Sequence, residues 1–260
     1  MVDVSIETRG AAQVISYSNP PRDYMTTEGA RSLADAVNAA AADPAVRSVI
    51  LTGTGPVFVR HFDVAEIVQA GEGVAAGALT RASFEGGPFV DLLDACQDAP
   101  KPVIAAINGT CMGGGFEIAM ACDLRIAADD VEQIGLPETR ISIFPGGGGT
   151  QRLPRLIGEA AALGFVLRGS VVDAQEALRI GLVHETATDA LARALEIAAE
   201  FETRGAEGLA MAKQLVRSAQ DRPLQDGLIA ERHGFYDVLQ SEAAMSAMRA
   251  FLDFDGDITA

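Results

Sequence analysis

Residues 101–127 constrain the fold most, because they join a strand pattern to a helix pattern through three consecutive glycines. Residues 103–107 form a short apolar run with β-branched side chains, which is typical of a buried strand. A turn signal, Asn108-Gly109, comes before Gly113 to Gly115. Residues 116–121 contain no Gly or Pro and predict a helix. We therefore expect a strand, a glycine turn, a helix and a further strand.

The three glycines would place free backbone N–H groups at a helix N-terminus, where the helix dipole favours negative charge. Glycine also lets a bound group approach the backbone closely. Glu117 lies in the first turn of the same helix, beside this anion-stabilising turn. The pairing suits a developing oxyanion and a carboxylate that moves a proton or a water. Taken alone, these residues also fit a surface loop followed by a solvated glutamate.

Composition limits the classes of partner. The chain has 260 residues, 48% of them hydrophobic and 22% charged, which is ordinary for a globular protein of one large or two small domains. Its net charge of −16 argues against nucleic acid and anionic membranes as partners. No apolar run approaches the roughly 20 residues of a membrane span, and no signal-peptide pattern is visible. We expect a cytoplasmic protein.

The cysteines and histidines show no metal or disulfide pattern. Cys96, Cys111 and Cys122 are odd in number and form no close ligand pair, so we expect buried free thiols. The three histidines are scattered along the chain. No metal ion is expected.

The segments before residue 101 predict an α/β arrangement. Two strands at 4–8 and 14–17 form a hairpin. A helix capped by Thr26 or Thr27 runs to Ala42 and leads to a strand at 46–51, which suggests a right-handed parallel crossover. Residues 71–77 are rich in Gly and Ala without periodicity and predict a mobile loop. Residues 84–98 predict a helix.

A second glycine turn, Gly146 to Gly149, follows an extended piece at 134–138. It leads into a helix at 150–157. Asp173 can cap a helix that ends at Gly181. Four further helices are predicted at 189–203, 207–219, 223–239 and 242–254.

The chain resembles the crotonase superfamily, the enoyl-CoA hydratases and isomerases. The stretch KPVIAAINGTCMGGGFEIAMACDLRIAA is similar to its central signature and GLPETRISIFPGGGGTQRLPRLIG to its second. GLVHET, after a helix that opens with DAQEAL, matches a weaker third. The resemblance implies an α/β fold, a crotonase-like spiral of ββα units with a C-terminal helical trimerisation region. It assigns residues 1–195 to the spiral core with the active site and 196–260 to oligomerisation and active-site cover, in a homotrimer or a dimer of trimers.

The family's chemistry carries over by position. Two backbone N–H groups that hold a thioester carbonyl match Phe62 and Gly114, and each donor is expected to lower the barrier by ~3 kcal/mol. Glu117 matches the carboxylate that activates water, and Glu138 the acid that protonates the α-carbon. Gly146 matches a glycine that helps to hold the water. The implied substrate is an acyl-CoA thioester, with coenzyme A as part of the substrate and no separate cofactor.

The first donor loop departs from the family. Its usual glycine is His61 here, and a small residue is Arg60. A non-glycine residue there is expected to be strained or to change the loop path, which threatens the donor Phe62. His61 is either an added acid, base or substrate contact, or a rim residue that packs on Phe62.

The coenzyme A contacts also depart from the family. A lysine common in relatives is Ala65 here, and the C-terminal tail is acidic. Arg22, Arg60 or Arg249 are candidate replacements for the missing cations. The predicted substrate-binding residues are Arg22, Tyr24, Arg60, Asp63 and Gly113.

Three functions remain open from the sequence. The first is a hydro-lyase that adds water reversibly to a 2-enoyl-CoA, favoured because both Glu117 and Glu138 are present. The second is a C–C bond hydrolase of a β-diketone that does not use coenzyme A, favoured by His61 and the missing cations. The third is a non-catalytic trimeric scaffold. Isomerase chemistry is a further possibility within the family.

Overall fold

Two β-sheets form the framework of the computed structural model, which describes residues 1–253. The larger sheet has six strands in the spatial order β1 (Asp3–Arg9), β2 (Ala12–Ser18), β3 (Ser48–Gly53), β5 (Val103–Ile107), β7 (Leu124–Ala128) and β10 (Glu185–Ala187). The smaller sheet has the order β4 (Val57–Val59), β6 (Thr110–Met112), β8 (Ile134–Gly135) and β9 (Val171–Val172). Only the β1–β2 and β8–β9 pairs are antiparallel within these sheets.

Helices connect the strands and continue to the end of the described residues. They are α1 (Thr27–Ala42), α2 (Val64–Ala75), α3 (Pro88–Asp98), α4 (Gly114–Ala121), α5 (Gly149–Ile157), α6 (Glu159–Leu167), α7 (Ala174–Arg179), α8 (Ala190–Glu202), α9 (Ala206–Ser218), α10 (Leu224–Leu239) and α11 (Glu242–Asp253). Short 3₁₀ helices lie at Arg81–Phe84, Glu138–Ile141 and Ala219–Asp221. Within residues 1–253, no helix has the length and apolar character that a membrane crossing requires.

The chain repeats a ββα pattern. β3, β5 and β7 belong to the larger sheet, and each is followed by a short strand of the smaller sheet, namely β4, β6 and β8. Helices α2 and α4 follow the first two of these pairs, and a 3₁₀ helix and α5 follow the third. The predicted ββα units are therefore observed, and the segments that follow β4, β6 and β8 meet where Gly113 lies close to His61 and Glu138.

Several predicted elements form for the expected physical reasons. Thr26 caps α1, because its side chain accepts a hydrogen bond from the Gly29 amide at 3.1 Å. Every residue of β5 is buried between parallel neighbours β3 and β7, as its apolar run predicts. Asp173 caps α7 by accepting from the Glu176 amide at 2.8 Å. The predicted parallel crossover from β2 to β3 is also present.

Three local predictions are wrong. Helix α2 continues through Gly71 and Gly73, where a loop is expected, because the Asp63 side chain caps its start and an interior glycine costs only about 1 kcal/mol. The helix predicted at 84–98 begins only at Pro88, after a break at Gly86 and Gly87. The extended piece at 134–138 ends early, and Glu138 begins a 3₁₀ helix.

The C-terminal helices are tied to the core by charge. Asp123, which follows α4, accepts from the Val103 amide at 2.8 Å and therefore fixes the start of β5. Lys213 and Arg217 of α9 each approach the Asp123 carboxylate at 2.8 Å. Arg217 also donates to the Ala121 carbonyl at the end of α4. The last predicted residue of α11, Phe254, and the acidic tail with Asp255 and Asp257 lie outside the described residues.

Gly115 tests the packing of α4 on β4. A Cβ atom at Gly115 would lie 2.1 Å from the Val59 carbonyl oxygen, a backbone atom that cannot move independently. We expect Gly115→Ala to reduce the free energy of unfolding by about 3 kcal/mol or more, because the helix must shift away from the strand. Chemical denaturation measures this change.

Gly164 provides the matched control. It lies inside α6, and a Cβ atom there would meet nothing within 4 Å. Gly164→Ala should raise the free energy of unfolding by about 0.5–1 kcal/mol, because alanine is the better helix former. Equal effects of the two substitutions would contradict the close α4–β4 packing.

Candidate active site

Glu117 is buried at the point where the two signature segments meet. All eight residues of α4 are buried, and Glu117 is only 3% exposed. Its Oε1 atom accepts hydrogen bonds from the amides of Gly147 and Gly149, at 2.7 and 2.9 Å. Burial raises the pKa of Glu117, and these two hydrogen bonds oppose that rise. The second glycine turn, at 146–149, therefore binds and orients the carboxylate of Glu117, which follows the first glycine turn.

Glu138 lies in a different environment. Its Oε2 atom is buried and has no hydrogen-bond partner within residues 1–253. Burial, with a smaller contribution from the charge of Glu117, raises the pKa of Glu138 to about 7. This carboxyl group therefore holds a proton at a pH where an ordinary glutamate has lost it. The two glutamates thus differ in hydrogen bonding.

The glycine turn before α4 lies against both Glu138 and the loop at 60–63. Gly113 has a φ of 51°, and a Cβ atom there would lie 3.1 Å from Glu138 Oε1 and 3.3 Å from His61 Cβ. A Cβ atom at Gly114 would lie 3.3 Å from the backbone nitrogen of Phe62. The positive φ favours glycine at Gly113, and the loop at 60–63 and Glu138 leave little room for a side chain at either position.

Two amides at this turn are available for a bound group. Within residues 1–253, the amides of Phe62 and Gly114 donate no hydrogen bond to another group of the protein. Gly114 is the first residue of α4, where an N–H group has no acceptor in the helix. The isolated bridge between Met25 and Phe62 uses the flanking atoms, since Met25 donates to the His61 carbonyl and Asp63 donates to Met25.

Aromatic and cationic side chains form the rim beside Phe62. The rings of Tyr24 and His61 stack with centroids 4.4 Å apart. The Arg22 guanidinium lies over the Tyr24 ring, 5.9 Å from its centroid, and donates to the Tyr24 hydroxyl at 3.2 Å. Arg60 donates to the Arg22 carbonyl at 3.0 Å. We call Arg22, Tyr24, Arg60 and His61 the rim cluster.

His61 fits the loop without the expected strain. The non-glycine residues of positive φ within residues 1–253 are Asp23 and Ser142, so His61 has an ordinary backbone conformation. Its Nδ1 atom is 2.8 Å from the Phe62 carbonyl oxygen, which supports the loop at the donor residue. The ring packs on Tyr24 rather than on the Phe62 ring. The predicted strain at His61 is therefore wrong.

The remaining predicted residues divide into two groups. Gly146 is exposed beside Gly147, and a Cβ atom there would meet nothing within 4 Å, so space is open at this point. Asp63 is a helix cap whose carboxylate accepts from the Ala65 amide at 2.8 Å. Arg249 lies exposed on α11. Nothing places Asp63 or Arg249 in the buried part of the site.

One supporting residue of the site, Arg152, carried no signal in the sequence analysis. Arg152 donates to the Gly147 carbonyl at 3.1 Å and to Gln97 Oε1 at 2.9 and 3.3 Å, so it supports the second glycine turn from behind. Its position inside the second signature could have drawn attention to it. Phe89 packs edge-to-face on Phe62 with centroids 5.2 Å apart. Among residues 1–253, no group of three or more His, Cys, Asp or Glu is placed to hold a metal ion.

Fold and site together define an α/β protein with one buried and one half-buried carboxyl group beside a glycine turn, where the Gly114 amide has no acceptor within residues 1–253. The model of the enoyl-CoA hydratase/isomerase family matches residues 7–254. The chain belongs to this family of enzymes.

Relatives and solved structures agree with this membership. The chain is 33% identical over 253 residues to a protein of Bacillus subtilis named as a probable enoyl-CoA hydratase, covering 96% of this chain and 95% of that one. It is 35% identical over 232 residues to a mitochondrial methylglutaconyl-CoA hydratase of Rattus norvegicus, covering 85% and 70%. A crystal structure of an enoyl-CoA hydratase from Bacillus anthracis superposes with a TM-score of 0.87 at 30% identity, covering 96% of both chains. The crotonase-like fold is therefore confirmed.

The raised pKa of Glu138 predicts a pH-dependent effect on stability. The folded protein holds this proton up to about pH 7, whereas the unfolded chain releases it near the ordinary value of about 4.3. Stability from this residue is therefore highest below pH 4 and decreases as the pH rises through 7. Glu138→Gln should stabilise the protein more at pH 8 than at pH 5, by about 1–2 kcal/mol after allowing for partial exposure.

Denaturant unfolding of wild type and Glu138→Gln at pH 5 and pH 8 measures this difference. Glu132→Gln, at an exposed glutamate, is the control. If the two variants show the same pH dependence, the buried carboxyl of Glu138 is not held in its protonated form.

Proposed function

We propose that this enzyme adds water reversibly to the double bond of a 2-enoyl-CoA thioester. The observation that carries the proposal is the pairing of Glu117 and Glu138 close to the amides of Phe62 and Gly114, which donate to no acceptor within residues 1–253. A hydratase needs one carboxylate to deprotonate water, one carboxylic acid to protonate carbon and a site for negative charge on oxygen. No separate cofactor is required, because coenzyme A enters as part of the substrate.

Glu117 is the better candidate for water activation. Its Oε1 atom is occupied by two amides, which fix the carboxylate and leave Oε2 for a water. The same hydrogen bonds favour the charged form, which can accept a proton. Gly146, which the resemblance assigns to holding this water, is exposed next to Gly147, whose amide binds Glu117.

Glu138 is the better candidate for the acid. With its pKa raised to about 7, it carries a proton near neutral pH. In the proposed step, the water oxygen bonds to C3 while Glu117 takes its proton. Electrons of the double bond move onto the thioester oxygen at Phe62 and Gly114, and Glu138 delivers its proton to C2. Return of a proton from Glu117 to Glu138 through solvent completes the cycle.

We further propose that the rim cluster takes over the role of the lysine that many relatives have at the position of Ala65. Arg22 and Arg60 supply two cations for phosphate groups, and the stacked rings of Tyr24 and His61 offer an aromatic surface for the adenine. Homotrimers or dimers of trimers remain a proposal from the resemblance. Exposed apolar residues on α9, α10 and α11, among them Val216, Leu224 and Phe235, are compatible with it.

Substitution of either glutamate tests the reaction. We expect Glu117→Gln and Glu138→Gln each to lower kcat for hydration of crotonyl-CoA by about 10²–10⁴-fold, because each loses a proton transfer. Loss of absorbance of the enoyl thioester measures the rate, and Glu132→Gln is the matched control. Unchanged kcat in both site variants would exclude this mechanism.

A C–C bond hydrolase of a β-diketone is the second candidate, because Ala65 and the His61 loop depart from the family pattern. The requirement for coenzyme A separates the two. Arg60→Ala should raise KM for crotonyl-CoA by about tenfold, since charge-assisted phosphate contacts are lost, but should leave KM for crotonyl-pantetheine unchanged. If the wild-type protein neither binds nor hydrates crotonyl-CoA but cleaves a β-diketone, the hydrolase function is favoured.

A further inference from the structure

Phe89 lies where three parts of the site meet. It is the second residue of α3 and packs edge-to-face on Phe62, with an interplanar angle of 71°. It also reaches both glycine turns. Its Cζ atom is 3.3 Å from the position of a Cβ at Gly114, and its Cε1 atom is 2.4 Å from that of a Cβ at Gly147. The ring therefore fills space that both glycines leave open.

The same geometry sets an upper limit on the distance between Phe89 and the proposed water-activating carboxylate. Glu117 Oε2 lies 2.6 Å from the Cβ position at Gly147, and Phe89 Cε1 lies 2.4 Å from it. No more than about 5 Å can therefore separate these two atoms. The aromatic ring borders the carboxylate directly.

This arrangement limits the path of an acyl chain. In the proposed reaction, the thioester oxygen lies at the amides of Phe62 and Gly114, and C3 faces the water on Glu117. Because Phe89 borders Glu117, acyl carbons that continue beyond C3 past this carboxylate meet the ring. A carbon keeps about 3.5–4 Å from a ring atom, so the ring blocks further extension of the chain in this direction.

Phe89 is also held firmly. The buried residues Leu92, Leu93 and Cys96 anchor α3 in the core. At its C-terminal end, Gln97 accepts from Arg152, which itself holds the Gly147 carbonyl. The helix that carries Phe89 and the turn beneath its ring are thus connected through one arginine. A long acyl chain would have to displace a packed ring.

We propose that Phe89 is a specificity-determining residue that closes the acyl end of the site and restricts the enzyme to short 2-enoyl thioesters. The favoured substrates are short enoyl thioesters such as crotonyl-CoA. This inference rests on the proposed function, because it places the thioester at the same amides and carboxylates.

The test compares kcat/KM for crotonyl-CoA and trans-2-decenoyl-CoA in wild type, Phe89→Ala and Phe89→Leu. Wild type should prefer crotonyl-CoA, and Phe89→Ala should shift the ratio towards decenoyl-CoA by about tenfold or more, because a closed pocket becomes open. Phe89→Leu keeps an apolar side chain on α3 and should give a smaller shift in the same direction, which covers the case in which Phe89→Ala fails to fold. Phe84→Ala, at a residue 59% exposed just before α3, is the matched control and should leave the ratio unchanged.

Calorimetric binding of butyryl-CoA and decanoyl-CoA to the same proteins separates this inference from the proposed reaction. If wild type binds butyryl-CoA more tightly but hydrates neither enoyl ester, the hydratase function is wrong, and a shifted binding ratio in the Phe89 variants still supports the role of Phe89. If hydration occurs and neither Phe89 variant shifts either ratio, the role of Phe89 is overturned alone. Equal wild-type use of both enoyl esters also overturns it. A protein that binds neither saturated ester overturns both.

Discussion

Complete burial of α4 is the constraint on which the rest of the structure depends, because a buried helix must satisfy its polar ends within the protein. At its C-terminal end, Arg125 donates to the carbonyls of Ala119 and Cys122, and Arg217 donates to that of Ala121. Burial lowers the pKa of Arg125 to about 10, yet this guanidinium stays charged at neutral pH and complements the helix dipole. At its N-terminal end, the Gly114 amide has no acceptor within residues 1–253, which suits the proposed role of this amide as an oxyanion donor.

The two ends of α4 therefore connect the C-terminal helices with the site. Lys213 and Arg217 of α9 neutralise Asp123 beside the last turn of α4, while Glu117 is fixed at the first turn by the second glycine segment. Removing one member of the Asp123 group would leave buried charge uncompensated, which is costly. The helical region after residue 195 thus contributes to the shape of the core, in addition to any cover or oligomeric contact that the resemblance implies.

The sequence predicted the central unit well because long apolar runs and consecutive glycines are strong local signals. It did not predict β4, β6 and β9, which are too short to show an alternating pattern. Glu117 was placed correctly in the first turn of a helix. Glu138 has the default appearance of a solvated residue, and only its position in the second signature singled it out. Its raised pKa depends on tertiary burial, which no local pattern encodes. Phe89 likewise shows no motif, because its importance comes from the two glycine turns that it covers.

His61 shows how a departure from a family pattern can be absorbed. A glycine at this position gives the loop freedom, whereas His61 gives it fixed contacts: its carbonyl accepts from Met25, its ring stacks on Tyr24 and its Nδ1 atom meets the Phe62 carbonyl. These contacts hold the donor residue Phe62 from both sides without a positive φ. The cost is that the ring occupies the rim, where Arg22 and Arg60 also converge. The replacement therefore couples the rigidity of the proposed oxyanion donor to the surface proposed for coenzyme A, so that a change in one alters the other.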